Sequence, residues 1–206
     1  DTDGTVLSIE FIVADGSTVV RDITVATVKD PTIYTEVLEG DIQYIQITQF
    51  VSGTSDEFRT VVESVASRTS CKGIILDLRN NPGGYESEAS KVADMILPEG
   101  VIATAKDKTG AVVKTVNSDA NCVSVPMVIL INQNTASAAE LVTGAFRDFN
   151  KGEIIGVKSY GKALGQRNKE FSADGSGVVI STSQYYTPSG ECIDKVGITP
   201  TKVVEL

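Results

Sequence analysis

Ser137 in N-T-A-S-A-A-E and Lys162 in S-Y-G-K-A-L-G-Q are the side chains of this 206-residue chain whose types and settings could do chemistry together. The chain contains no histidine, so neither a Ser-His nor a Cys-His pair is available to it. A serine hydroxyl is a weak nucleophile at neutral pH and needs a base beside it. If the chain is a hydrolase, that base must be lysine. A free lysine, with a reference pKa of ~10.4, is protonated, and bringing it towards ~7 to 8 takes about 4 kcal/mol of differential stabilisation, which enclosure can supply. Gly161, Ala163, Leu164 and Gly165 give Lys162 a small, uncharged surround that permits enclosure, and Gln166 is spaced to hold the amine by a neutral hydrogen bond.

A third element is Asp77-Leu-Arg-Asn-Asn-Pro-Gly-Gly84, after an apolar run. Its glycines let the backbone turn N–H groups towards a ligand, as an oxyanion hole requires. Each element has an ordinary reading beside the chemical one. Thr135 or Ser137 is a good helix N-cap, Lys162 is a solvated loop lysine, and Asn-Pro-Gly-Gly is a strong turn signal.

The elements that must position these residues follow from periodicity. Residues 6–13 and 18–28 read as two strands around Asp15-Gly16, with Lys29-Asp-Pro31 as a linker. Residues 42–50 read as a strand, and a helix from Ser55 places Phe58, Val61, Val62, Val65 and Ala66 at helical spacing. Residues 73–78 read as a buried strand running into the Asn-Pro-Gly-Gly loop. A second helix carries Ala89, Val92, Ala93, Ile96 and Leu97 and stops at Pro98. Residues 101–116 read as a strand pair turned at Thr109-Gly110, and residues 126–131 as a buried strand. A third helix over 135–149 presents Ala138, Leu141, Val142, Ala145, Phe146 and Phe149 on one face. Residues 154–157, 178–184 and 201–204 are the remaining strand candidates. Strand-helix alternation in the middle, with strands before and after, predicts an α/β domain with a mixed sheet. Ser137 then sits where a buried strand gives way to a helix, close to unpaired N–H groups and the positive end of the helix dipole.

Composition narrows the partners. A formal charge of −9 without a Lys/Arg cluster disfavours nucleic acid and anionic membrane surfaces, and a polypeptide or neutral small molecule fits better. The longest apolar runs, such as residues 127–131, are far shorter than the ~20 residues that cross a bilayer. Cys71, Cys122 and Cys192 match neither a disulfide framework nor a zinc motif and are expected to be small buried residues, with one disulfide as the lesser alternative. Residues 156–162 imitate a phosphate loop, but Ala163 stands where Ser or Thr is required and no helix follows. Asp1-Thr-Asp-Gly-Thr imitates a phosphatase nucleophile loop without the strand that must precede it. Asp77 and Glu140 could be a glycosidase pair, but acids are abundant in an acidic chain.

Taken in order, D-I-Q-Y-I-Q-I-T-Q-F at 41–50, G-I-I-L-D-L-R-N-N-P-G-G at 73–84, V-I-L-I-N-Q-N-T-A-S-A-A-E at 128–140, G-K-A-L-G-Q at 161–166, and Q-Y-Y-T-P-S-G-E-C-I with V-G-I-T-P at 184–200 resemble the carboxyl-terminal processing (tail-specific) proteases. The resemblance implies Ser137 as nucleophile, Lys162 as general base and Gln166 as the residue orienting it. It also implies the amides of Gly83 and Ala138 as oxyanion hole and Asp148 as structural support. It implies a core like that of crotonase and Clp protease over residues 30–206, preceded in residues 1–29 by the last strands of a PDZ-like domain. The expected activity is serine endopeptidase cleavage of a polypeptide, with no metal or cofactor, in a bacterial envelope, periplasm, spore or plastid. A homodimer is left open. The rival expectation is a peptide-binding module of the same fold that no longer cuts.

Overall fold

Apolar residues at helix and strand spacing set the architecture of the computed structural model, which describes residues 2–27, 30–172 and 174–205. The chain divides into two compact units, Asp1–Pro31 and Thr32–Leu206.

The first unit is a hairpin of β1 (Val6–Ile12) and β2 (Thr18–Thr24), antiparallel from Val6 opposite Thr24 to Ile12 opposite Thr18. Its turn is closed by the Gly16 N–H donating to Val13 O and the Ser17 N–H to Asp15 Oδ1. The second strand ends earlier than the sequence suggests. Val28 and Lys29, at the end of the expected strand and the start of the expected linker, lie outside the described residues, as does Asp1.

The second unit contains a six-stranded sheet in the order β12-β9-β8-β5-β4-β3. Its strands are β3 (Ile33–Leu38), β4 (Ile42–Ile47), β5 (Gly73–Asp77), β8 (Met127–Ile131), β9 (Ile154–Gly156) and β12 (Lys202–Val203). Only the β3–β4 pair is antiparallel. The interior strands β5 and β8 are near-continuous apolar runs, as strands covered on both faces must be. A four-stranded antiparallel sheet follows the order β10-β11-β6-β7, built from β6 (Gly100–Lys106), β7 (Val112–Ser118), β10 (Leu164–Glu170) and β11 (Gly177–Tyr186).

Three helices among the described residues complete this unit: α1 (Thr54–Ser67), α2 (Glu86–Ile96) and α3 (Ala138–Asp148). They bury most of the expected stripes, although Ala66 is exposed and Val61 and Phe149 are only partly buried. Phe58 and Val65 of α1, Ala89, Val92, Ala93 and Ile96 of α2, and Ala145 and Phe146 of α3 join Leu76 and Ile129 of the sheet in one core. Helix α1 is tied to α2 by Glu88, whose carboxylate accepts from the Ser55 N–H at 2.9 Å, satisfying one of the four free donors at that helix start.

Four expectations need correction. The α/β sheet is one of two separate sheets in this unit, because the strand pair at 100–118 joins β10 and β11 rather than the parallel strands. Helix α3 begins after Ser137 rather than at Thr135, because Thr135 uses its hydroxyl to donate to Leu78 O at 2.7 Å and stays in the loop. Strands β3 and β10 are unexpected. Both are edge strands, and β10 reads L-G-Q-R-N-K-E, with little apolar alternation, because its backbone pairing rather than burial defines it. The three cysteines are free and partly exposed rather than buried, lying in connections outside the strands and helices.

Candidate active site

Two loops leave the carboxyl ends of the neighbouring parallel strands β5 and β8, the position where open α/β sheets place their ligands. The first, residues 78–85, runs into α2; the second, residues 132–137, runs into α3. They are sewn together by main chain and amide side chains. The Leu78 N–H donates to Leu130 O and the Ala136 N–H to Asn81 O, each at 2.9 Å. The Asn80 N–H donates to Asn132 Oδ1, and the Nδ2 groups of Asn132 and Asn134 both donate to Asn80 Oδ1 at 2.9 Å.

Asp77 anchors the first loop from below. It is fully buried and accepts from Tyr44 Oη at 2.7 Å, Arg79 Nη2 at 2.6 Å and the Arg79 N–H at 2.9 Å. Burial, and then the Asp77 carboxylate, push the Tyr44 phenol up to about 12. An acid so fully committed is an anchor, and Asp77 does not line the cleft.

Ser137 stands at the junction of the second loop with α3, at φ 56° and ψ −119°. A positive φ is uncommon for a residue with a Cβ and costs on the order of 1–3 kcal/mol, which the surrounding hydrogen bonds must hold in place. Gly83 backs directly onto this turn. A Cβ on it would lie 2.7 Å from Ala136 O and Ser137 Cβ and 2.8 Å from the Ala138 N, at a φ of 95°. Only glycine lets the two loops approach so closely.

The third piece is the segment carrying Lys162. The N–H groups of Gly161 and Lys162 donate to Oε1 and Oε2 of Glu140 at 2.7 and 2.8 Å, and the Ala163 N–H donates to Asp194 Oδ1 at 3.2 Å. Amides bound to carboxylates cannot cradle a phosphate, which removes the phosphate-loop reading of this stretch. Lys162 itself is partly buried.

These pieces enclose a cleft of about 470 Å³ lined by Ser137, Ala138, Gly83, Gly84, Lys162 and Gln166, with Ile102, Ala103, Leu141 and Ile193 forming an apolar wall. Of the residues singled out by sequence, Gly83, Ser137, Ala138, Lys162 and Gln166 are therefore brought to one cavity, and Asp148 does not line it. Their hydrogen bonding differs from expectation at two points. Gln166 is exposed, at a register shift between Gly165 and Gln166 in β10, and no hydrogen bond among the described residues joins it to Lys162 or Lys162 Nζ to Ser137. The Gly83 N–H, expected to face an oxyanion, donates to Asn81 Oδ1 at 2.8 Å, because asparagine two residues earlier closes an Asx turn. The next N–H, that of Gly84, makes no hydrogen bond among the described residues, since its neighbours Gly83 and Tyr85 make the bridge to Phe50.

Asp148, at the end of α3, accepts from Arg147 Nε and the Ser189 N–H, each at 2.9 Å. It thereby ties α3 to the turn after β11, where Thr187 also lines the cleft. Burial pushes its carboxyl up, but hydrogen bonds from Thr187, Ser189 and Arg147 outweigh that and hold it below its ordinary value. Glu140 is the site residue whose part sequence reasoning missed. It stands three residues after Ser137, which is a capping-box spacing, and its bonds to the Lys162 segment span a gap that no local pattern encodes.

Residues 41–204 match the model of peptidase family S41. The chain belongs to that family. Among S41 relatives, it is 35% identical over 173 residues to a carboxy-terminal-processing protease of Bartonella bacilliformis, which covers 82% of this chain and 40% of that protein. It is 36% identical over 165 residues to a carboxyl-terminal-processing protease of a Synechocystis species, covering 80% and 38% respectively. The solved structure of a photosystem II D1 C-terminal processing protease superposes with a TM-score of 0.76 at 27% identity, covering 98% of this chain and 56% of that one. The S41 chain described here thus spans about two fifths of the length of the curated relatives it matches. No helix among its described residues is long and apolar enough to cross a membrane.

Proposed function

We propose that this S41 chain carries the catalytic centre of a serine endopeptidase in which Ser137 is the nucleophile and Lys162 its general base. The observation that carries the reading is the single cleft shared by a strained serine at a helix start, a lysine and glycine-rich loop amides, with no histidine in the chain. Neutral Lys162 takes the proton of Ser137 Oγ as that oxygen attacks a peptide carbonyl. The lysine then delivers the proton to the leaving amine, and water repeats the cycle on the acyl-enzyme.

The negative oxygen of the tetrahedral intermediate is held by main-chain N–H groups. Ala138 supplies one, as at the first turn of α3 its N–H has no carbonyl partner among the described residues. The glycine loop supplies the other. The Gly84 N–H, without a hydrogen bond among the described residues, is available for this, whereas Gly83 must first let go of Asn81. Gln166 serves the lysine only after its side chain turns inward from its exposed position on β10.

A polypeptide fits the cleft as an added strand. Strand β10 is a sheet edge, and the Tyr185 N–H donating to Ala163 O makes Leu164 opposite Gln184 a non-hydrogen-bonded pair. The N–H and C=O of Leu164 therefore point away from β11, and Leu164 lines the cleft. The substrate is read as a protein processed from its C-terminal region, outside the cytoplasm, with residues 1–29 read as the last strands of a PDZ-like domain and the core as crotonase/Clp-like. The catalytic mechanism itself draws on no metal or cofactor. A serine-reactive fluorophosphonate tests the nucleophile: it should label Ser137 in the native chain and leave Ser137→Ala unlabelled, and labelling of another serine would refute the assignment.

A further inference from the structure

Glu140 is fully buried, yet no Lys or Arg among the described residues pairs with it. It receives four hydrogen bonds. Oε1 accepts from Ser159 Oγ at 2.6 Å and the Gly161 N–H at 2.7 Å, and Oε2 accepts from the Ser137 N–H at 2.9 Å and the Lys162 N–H at 2.8 Å. Ser159 Oγ in turn accepts from the Ile198 N–H at 2.6 Å, which extends the network to the turn backing the lysine.

A buried carboxylate compensated only by neutral donors is a weak device for stability, since well-packed apolar groups do as well or better. What it provides is geometry. Its two oxygens are fixed relative to each other, its bonds are charge-assisted and short, and Oε2 alone joins the Ser137 turn to the Lys162 segment while Oε1 holds only that segment. The nucleophile turn and the lysine segment are separate connections, one after β8 and the other before β10.

We infer that Glu140 is a positioning residue that fixes the main chain of Ser137 to that of Lys162 and so sets the distance across which the proton moves. This rests on the Ser-Lys reading above. Methionine has a similar length but offers only a weakly accepting thioether in place of two carboxylate oxygens. Glu140→Met therefore releases both sides of the clamp while filling most of the space.

The test is Glu140→Met, assayed below its thermal midpoint with a flexible peptide and followed by amide hydrogen exchange. The expected result is a fall in kcat of about a hundredfold with KM within about twofold, as for a reacting group displaced by about 1 Å. Exchange should quicken at Ser137, Gly161 and Lys162 while the core amides of Leu76 and Ile129 keep their rates; a purely structural role would quicken all of them together. Unchanged kcat, or uniform quickening, overturns the inference. If the variant does not fold, the native chain answers by NMR. Scalar couplings across the hydrogen bonds from the Ser137 and Lys162 nitrogens to the Glu140 carboxylate carbon should be detected, and their absence overturns the clamp. Cleavage surviving in Ser137→Ala would instead refute the Ser-Lys reading and leave the exchange result standing.

Discussion

The main-chain N–H groups of Ser137 and Lys162 donate to one and the same atom, Oε2 of Glu140, at 2.9 and 2.8 Å. Two residues 25 positions apart in sequence are thereby held through a single oxygen. The chemistry proposed for this cleft depends on the loops that surround that atom, and each loop can be tested.

Gly83→Ala should cripple the site. The added methyl meets Ala136 O and Ser137 Cβ at 2.7 Å, and the φ of 95° is unfavourable for alanine. A stability loss above about 1 kcal/mol is expected from the backbone alone, together with a loss of Ser137 labelling by fluorophosphonate. Denaturant unfolding and labelling rates measure the two effects separately.

Asn81→Ala removes the acceptor for the Gly83 N–H and the donor to Ile47 O, which lies at 2.8 Å. Asn81 is fully buried, so leaving both partners unmatched should destabilise the chain by about 1–3 kcal/mol per group. The change should appear as a lower urea midpoint at unaltered slope.

Asp148→Asn should matter at neutral pH and fade in acid. The native carboxyl is held below its ordinary 3.8, so its contribution is present above the unfolded value and lost as pH falls through the native one. The native chain should therefore have the higher thermal midpoint at pH 7, with the gap to the variant narrowing once pH falls below about 3.8. A gap independent of pH would show that the ionised carboxylate is not the cause.

Leu164→Pro tests the docking edge. Proline is tolerated on an edge strand where the N–H faces outward, so the fold should persist while KM for a peptide rises. Leu164→Ala, which keeps the N–H, should separate the side chain from the backbone effect.

Much of the site was legible because its markers are local. A serine at a strand-to-helix junction, a lysine among small residues and an Asn-Pro-Gly-Gly loop are each short patterns, and their order along the chain carried the family resemblance. The helices were legible from the spacing of residues such as Phe58, Val62 and Val65. Strands β3 and β10 were not, because an edge strand buries little and so leaves no strong alternation. Gln166 lies on β10, so its exposed placement was hidden with that strand. The bond from the Gly83 N–H to Asn81 is local, but Asn-Pro-Gly-Gly allows an Asx turn and a free amide alike. The clamp at Glu140 was illegible for a different reason: its partners Ser159, Gly161 and Lys162 are contributed by a connection that only the tertiary fold brings to α3.

The most direct test of the Ser-Lys proposal is the cleavage rate of a flexible, unfolded protein substrate by the native chain and by Lys162→Ala under the same conditions. Loss of a general base should lower kcat by about 10² to 10⁴-fold without unfolding the variant; cleavage by Lys162→Ala at the native rate would contradict the account.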